Sequence, residues 1–264
     1  MSTLNVLIDS ILSTSKYRHV SPVLVRRIGE RELRARPKLK EAIKATKNKL
    51  HQVGAAYQVG QIDYARALAD LQDVAEDEAA LRQQCQMLMQ RHASTRERIP
   101  ILEQFYTTIF ADLPPTTSVL DVACGLNPLA LPWMSLADGA EYIGYDIYAD
   151  SIGFLQQFAS VVGRNGRFAT RDVITQPPTD PVDLALILKT LPCLEQVDKN
   201  ASNTLLDAIQ ANYLVISYPA RSLGGRRKGM VANYEQHLQG LASSRSWDYQ
   251  RFEFETELAF LVQT

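Results

Sequence analysis

Residues 118–131, SVLDVACGLNPLAL, decide how the chain reads. A strand-length apolar run carries one acid, Asp121, and ends in a turn with Gly125, where a missing side chain lets the backbone approach a ligand. Six more short apolar runs follow: EYIGYDIY (141–148), GRFATRDVI (166–174), VDLALILK (182–189), YLVISYP (213–219), RFEFE (251–255) and LAFLVQ (258–263). Most are separated by helix-length segments, which predicts an α/β fold with a mostly parallel sheet covered on both faces. The last two lie close together, so they are expected to form an antiparallel hairpin at one edge.

Upstream of Pro114-Pro115 the pattern is helical. Ser21-Pro22 reads as a helix start, with a cap oxygen followed by a proline at the first helical position. Pro37 breaks that helix, and residues 38–52 form another with Lys40, Lys44 and Lys47 along one stripe. Residues 61–91, rich in Ala, Leu, Gln and Glu, favour one or two further helices. Ser94 and Glu97 have capping-box spacing, and Pro100 is expected to kink the element they open or to delay its start. The division expected is a helical segment over 1–112 and an α/β domain over 113–264.

The net charge of −1 conceals an asymmetry. Residues 1–51 hold twelve Lys and Arg against four Asp and Glu, while the remainder holds 16 against 25. A basic front on an acidic body is the pattern of a nucleic-acid contact surface, although a solvated helix face gives the same counts. Cys85, Cys124 and Cys193 are scattered without C-x-x-C spacing, and the four histidines show no ligand spacing, so neither disulfides nor a bound metal is expected. No apolar run approaches membrane-spanning length, which points to the cytoplasm, and nothing self-complementary argues against a monomer.

In a doubly wound sheet, ligands lie beyond the carboxyl ends of the strands. Gly125 is followed 21 residues later by Asp146, placed to accept hydrogen bonds from both hydroxyls of a ribose, and then by Asp172, placed to take the exocyclic amine of adenine. Either acid can instead cap the next helix. Gly125-Leu126-Asn127 does not satisfy G-x-G-x-x-G, which weakens a dinucleotide-dependent dehydrogenase reading.

Four stretches, HASTRER (92–98), VLDVACGLNPLAL (119–131), DLALILKTLPCLE (183–195) and SYPARSLGGRRKGM (217–230), together closely resemble the aminoglycoside-resistance 16S rRNA methyltransferases that modify guanine 1405 at N7. The likeness covers nearly the whole chain. It implies a Rossmann-like class I fold with a seven-stranded sheet, S-adenosylmethionine as cofactor, and the 30S ribosomal subunit as partner, docked by the N-terminal helices. It implies that Arg98 pairs with the cofactor carboxylate, with Arg96 left as the alternative, that Gly125 and Asp146 hold the methionine and ribose parts, and that Asp172 reads adenine. Lys189 stands where enzymes acting on exocyclic amines carry an N-P-P-Y-like motif, and receives an orienting role. Arg221, Arg226, Arg227 and Lys228 suit RNA phosphates, Met230 suits an extruded base, and Arg18, Arg26, Arg27, Lys40, Lys44 and Lys47 suit subunit docking. The rivals are a small-molecule methyltransferase of the same fold and a ribosome-binding protein without catalysis.

Overall fold

A computed structural model describes residues 2–220 and 230–264. Arg221, Arg226, Arg227 and Lys228 lie outside the described residues. Among the described residues seven α-helices precede the first strand: α1 (Thr3–Leu12), α2 (Pro22–Ala35), α3 (Leu39–Leu50), α4 (Tyr64–Asp73), α5 (Glu78–Met89), α6 (Ala93–Arg98) and α7 (Leu102–Ala111). β1 (Ser118–Val122), β2 (Glu141–Asp146), α8 (Ala149–Val161), β3 (Asn165–Thr170) and β4 (Pro181–Leu188) follow. The chain continues through α9 (Leu191–Glu195), α10 (Ala201–Ala208), β5 (Gln210–Pro219), α11 (Met230–Ser243), β6 (Asp248–Glu253) and β7 (Glu257–Gln263).

The strands form one sheet in the order β3-β2-β1-β4-β5-β7-β6, parallel except for β7, which runs antiparallel to both β5 and β6. The expected terminal hairpin is therefore present, with charged, exposed β6 at the edge, where polar side chains discourage further pairing. β1 and β4 are buried on both faces, as their near-continuous apolar sequences require. Alternation along β1 sends Val119 into one core, with Tyr142, Leu155 and Phe158, and Leu120 into the other, with Ile143, Leu205 and Leu238. Strand order turns outward in both directions from the β1/β4 pair, so a crevice opens above their carboxyl ends.

The helices before β1 divide by partner. α5 and α7 bury Leu81, Cys85, Met89, Phe105, Tyr106 and Ile109 in the core shared with the sheet. α1–α3 build a smaller cluster of Leu7, Ile11, Leu24, Val25 and Ile28, closed by Tyr148 from the loop after β2. Backbone hydrogen bonds fasten this cluster to the sheet: Ser21 N–H donates to Ile147 O at 2.7 Å and Ala149 N–H to His19 O at 2.8 Å.

Two expected caps take another form. α2 starts at Pro22, but among the described residues the Ser21 side chain makes no capping bond, and the residue is held by its backbone N–H donating to Ile147 O. The Ser94/Glu97 capping box does not form, because α6 already begins at Ala93 with His92 at the cap position. That shift places Ser94 and Glu97 inside the helix, beside Lys189. Pro100 sits in a 3-10 turn, Ile99–Ile101, that separates α6 from α7.

Leu7 is fully buried, with a methyl against the α carbon face of Gly29 in α2. Leu7→Ala is expected to lower stability by about 2–5 kcal/mol through lost transfer energy and a cavity. A fall in the urea midpoint at constant m measures it.

Candidate functional site

A cleft of about 470 Å³ opens above the β1/β4 switch point, and Arg98, Gly125, Asp146, Asp172 and Lys189 all line it. Gly125, Asp146, Asp172 and Lys189 lie at the ends of β1, β2, β3 and β4, where the sheet topology brings them together, and Arg98 is brought to them from α6 by its pair with Glu257. Gly125 has φ +52, and a Cβ there would lie 2.9 Å from the His92 ring. Only glycine suits that turn sterically.

Asp146 is 8% exposed and its carboxylate is held by three backbone donors, Gly125 N–H at 2.9 Å, Ile147 N–H at 2.6 Å and Tyr148 N–H at 3.2 Å. Burial pushes its pKa up despite those donors. Asp172 is clamped by the Arg27 guanidinium, Nε to Oδ2 at 2.6 Å and Nη2 to Oδ1 at 3.1 Å. Arg27, expected among the docking cations, thus turns inward from α2, whereas Arg18, Arg26, Lys40 and Lys44 are exposed and Lys47 is half-buried. Met230 is half-buried at the first residue of α11.

Of the two candidate arginines, Arg96 is exposed and Arg98 fully buried. Arg98 Nε and Nη2 donate to the two oxygens of Glu257, at 3.0 and 2.7 Å, and Nη1 donates to Asn127 Oδ1 at 2.7 Å. A guanidinium carries five N–H donors, so one on Nη1 and one on Nη2 have no acceptor among the described residues. Glu257 opens β7, is 0% exposed, and also accepts the Ser217 hydroxyl of β5 at 2.5 Å.

Lys189 joins the same network, its Nζ donating to Glu97 at 3.0 Å and to Ser94 O at 3.3 Å, and lying 3.3 Å from Glu257. Its backbone stands at φ +59, a conformation that costs a non-glycine residue about 1–3 kcal/mol. Its N–H is fixed by Ser217 O at 3.0 Å and Ser217 Oγ at 3.1 Å. Beyond Asn127 the network continues to Asp121, which accepts Asn127 Nδ2 at 2.9 Å and the Tyr142 hydroxyl at 2.6 Å. The Tyr106 hydroxyl also donates to Asn127, at 2.7 Å.

Burial opposes the charge on both Arg98 and Glu257, but each outweighs it for the other. The guanidinium pKa moves up, and Arg98 followed by Lys189 pulls the Glu257 carboxyl below the usual carboxylate range. Asp121 is pushed up to about 6, because burial exceeds the lowering from Tyr142, Asn127 and Arg98. His92 is pushed down to about 4 by burial, then by Lys189 and Arg98, and its buried Nδ1 has no partner among the described residues.

Sequence reasoning did not single out Glu257, Asn127, Glu97, Ser217 or His92 as site residues. Glu257 and Ser217 lie far from the glycine turn in sequence, and only sheet pairing brings them near. Glu97 was noticed, but for the wrong bond.

Glu257→Ala leaves two buried cations without their shared carboxylate and is expected to cost about 3–5 kcal/mol, read by denaturant unfolding. A second test is pH. Because the folded pKa of Asp121, about 6, exceeds its ordinary value of 3.8, the native state binds the proton first, and this group's stabilisation grows as pH falls through that window. His92, depressed from 6.5 to about 4, acts in the opposite sense below its ordinary value. The change in melting temperature between pH 7.5 and 5 should therefore be less favourable at pH 5 for Asp121→Asn than for wild type.

A model of the ribosomal RNA methyltransferase (FmrO) family matches residues 13–261. A 16S rRNA (guanine(1405)-N(7))-methyltransferase of Micromonospora echinospora is 37% identical over 259 residues, covering 97% of this chain and 94% of that protein. One from Serratia marcescens is 34% identical over 261 residues, covering 98% of each. Among solved structures, 16S rRNA methyltransferase RmtF in complex with S-adenosyl-L-homocysteine matches with a TM-score of 0.83 at 31% identity, over 100% of this chain and 98% of that one. The 16S rRNA methylase RmtB matches with a TM-score of 0.82, also at 31% identity, over 99% and 98%. With its class I sheet, its strand-end acids and this match along nearly its full length, the chain belongs to the ribosomal RNA methyltransferase (FmrO) family.

Proposed function

We propose that this protein transfers a methyl group from S-adenosylmethionine to N7 of guanine 1405 of 16S rRNA in the 30S subunit, and that the product protects ribosomes from gentamicin and kanamycin type drugs. The observation that carries the reading is the convergence of Arg98, Gly125, Asp146 and Asp172 on one cleft at the sheet's switch point.

The residues present fit such a cofactor. The two N–H donors of Arg98 that lack an acceptor among the described residues suit a carboxylate, and the Gly125 turn, which lines the same cleft, suits the adjoining aliphatic chain. Asp146 keeps one acceptor position beyond its three backbone donors among the described residues, which suits one ribose hydroxyl where the sequence reading has it accept both. S-adenosylmethionine, when bound, supplies an activated methyl on a sulfonium.

Guanine N7 already carries a free lone pair at neutral pH, so the chain needs no general base, and alignment with electrostatics carries the acceleration. Methyl transfer moves positive charge onto the purine. Lys189 would oppose that charge if unpaired, but its ammonium is engaged by Glu97, Glu257 and Ser94 O. It therefore positions the end of β4 and leaves the region near neutral.

Subunit docking is assigned to the helical segment 1–112, chiefly through Arg18, Arg26, Lys40, Lys44 and Lys47 on α1–α3 and their connections, with Arg221, Arg226, Arg227 and Lys228 gripping phosphate beside the acceptor and Met230 against the base. Such contacts release counterions, so binding should weaken steeply with salt. Among the described residues no helix is long and apolar enough to cross a membrane, and no cluster suited to a metal occurs. A monomer acting in the cytoplasm is proposed.

Incubating the protein with cofactor and 30S subunits, then mapping 7-methylguanine by borohydride and aniline cleavage with primer extension, should give a stop next to guanine 1405. No stop there defeats the assignment, and methylation of small molecules alone would favour the rival enzyme. Asp146→Ala is expected to lose cofactor affinity by calorimetry and protection from gentamicin together. Full protection in that variant would show that the ribose site lies elsewhere.

A further inference from the structure

We infer that Arg27, from a helix outside the sheet, is a specificity-determining part of the adenine subsite: its guanidinium fork fixes the orientation of the Asp172 carboxylate so that one acceptor position faces the cleft, and thereby selects a 6-amino purine. The inference rests on the reading that Asp172 faces adenine.

The geometry is unusually constrained for a contact between a helix and a strand end. Arg27 and Asp172 both line the cleft, their side chains are 22% and 3% exposed, and the guanidinium engages both carboxylate oxygens. Asp172 Oδ1 takes a second donor, the Ile174 N–H, at 3.3 Å. A carboxylate offers about four acceptor positions, so among the described residues one remains, on Oδ2. That single position accepts one N–H of an amine. The carbonyl of a 6-oxo purine would place an acceptor against an acceptor.

Arg27 cannot drift from this position easily. Its helix is anchored by Leu24, Val25 and Ile28, all at most 3% exposed, packed with Ile147, Tyr148 and Ile174 from the loops after β2 and β3. Ser21 N–H, one residue before α2, is bonded to Ile147 O at 2.7 Å. The neighbouring Arg26 is exposed, so the pair divides its tasks by direction.

Asp172 is 2% exposed, and without the guanidinium fork its carboxylate loses the contact that sets its rotation, so its oxygens can turn to accept the N1–H that a 6-oxo purine carries and adenine lacks. Arg27 therefore decides which purine the buried acid prefers.

The test is calorimetric titration of S-adenosylhomocysteine and its 6-oxo analogue, S-inosylhomocysteine, into wild type, Arg27→Met and Arg27→Lys, with thermal melts for folding and cofactor-free 30S binding as a second readout. Wild type is expected to favour the adenine compound by about tenfold or more, since a site built for a donor rejects its acceptor analogue. In Arg27→Met the preference should fall to about threefold or less, with Arg27→Lys between because it keeps the charge without the fork, and 30S binding should change by less than about twofold. If Arg27→Met does not melt cooperatively, the ratio in Arg27→Lys decides. An undiminished preference in the folded variants overturns the inference, as does loss of 30S binding with the preference intact. A wild type that does not distinguish the two compounds defeats the Asp172 assignment itself, and the inference with it.

Discussion

The bidentate pair between Arg98 and Glu257, dry on both sides, is the contact on which the site depends. Burying two charges costs several kcal/mol per ion, so such a pair persists only when its remaining donors and acceptors are satisfied. Here Ser217, Lys189 and Asn127 satisfy most of them, and the consequence is architectural. α6, β4, β5 and β7 are bound at one point, so the final strand of the chain holds the arginine beside a turn formed some 130 residues earlier in sequence. The antiparallel insertion of β7 next to β5 is therefore part of the site's construction and more than an edge decoration.

On the proposed function, that network also accounts for a cation standing in a site whose product is cationic. Lys189 is held in a left-handed backbone conformation by Ser217, with its ammonium turned to two carboxylates. Ala123, just before the glycine turn, shares the positive φ, at 54°. Two non-glycine residues in this conformation at the ends of neighbouring strands mark where the surroundings over-determine the backbone, a common feature of preorganised sites. In the proposed reaction, methyl transfer at this site would meet fixed dipoles and charges and need little reorganisation.

Much of this is legible in the sequence. Apolar runs of strand length, punctuated at regular distances, gave the seven strands and the terminal hairpin, because period and spacing are local properties. Gly125, Asp146 and Asp172 were legible because a doubly wound sheet places every strand's carboxyl end on one rim. Partners joined only by tertiary contact were not. Nothing near Glu257 in sequence announces Arg98, and Arg27 reads as one more cation in a basic helix until its direction is known. The Ser94/Glu97 spacing imitated a capping box, and tertiary demand for Glu97 by Lys189 decided otherwise. The basic stretch 221–229 was legible only as composition.

The most direct measurement is a crystal structure with S-adenosylhomocysteine bound. The account expects the ligand's carboxylate within hydrogen-bond reach of Arg98 Nη1 or Nη2 while Glu257 keeps the opposite side of the guanidinium, with the ribose at Asp146. A carboxylate bound away from Arg98, or a guanidinium that must leave Glu257 to reach it, would contradict the claim that this buried pair prepares the site.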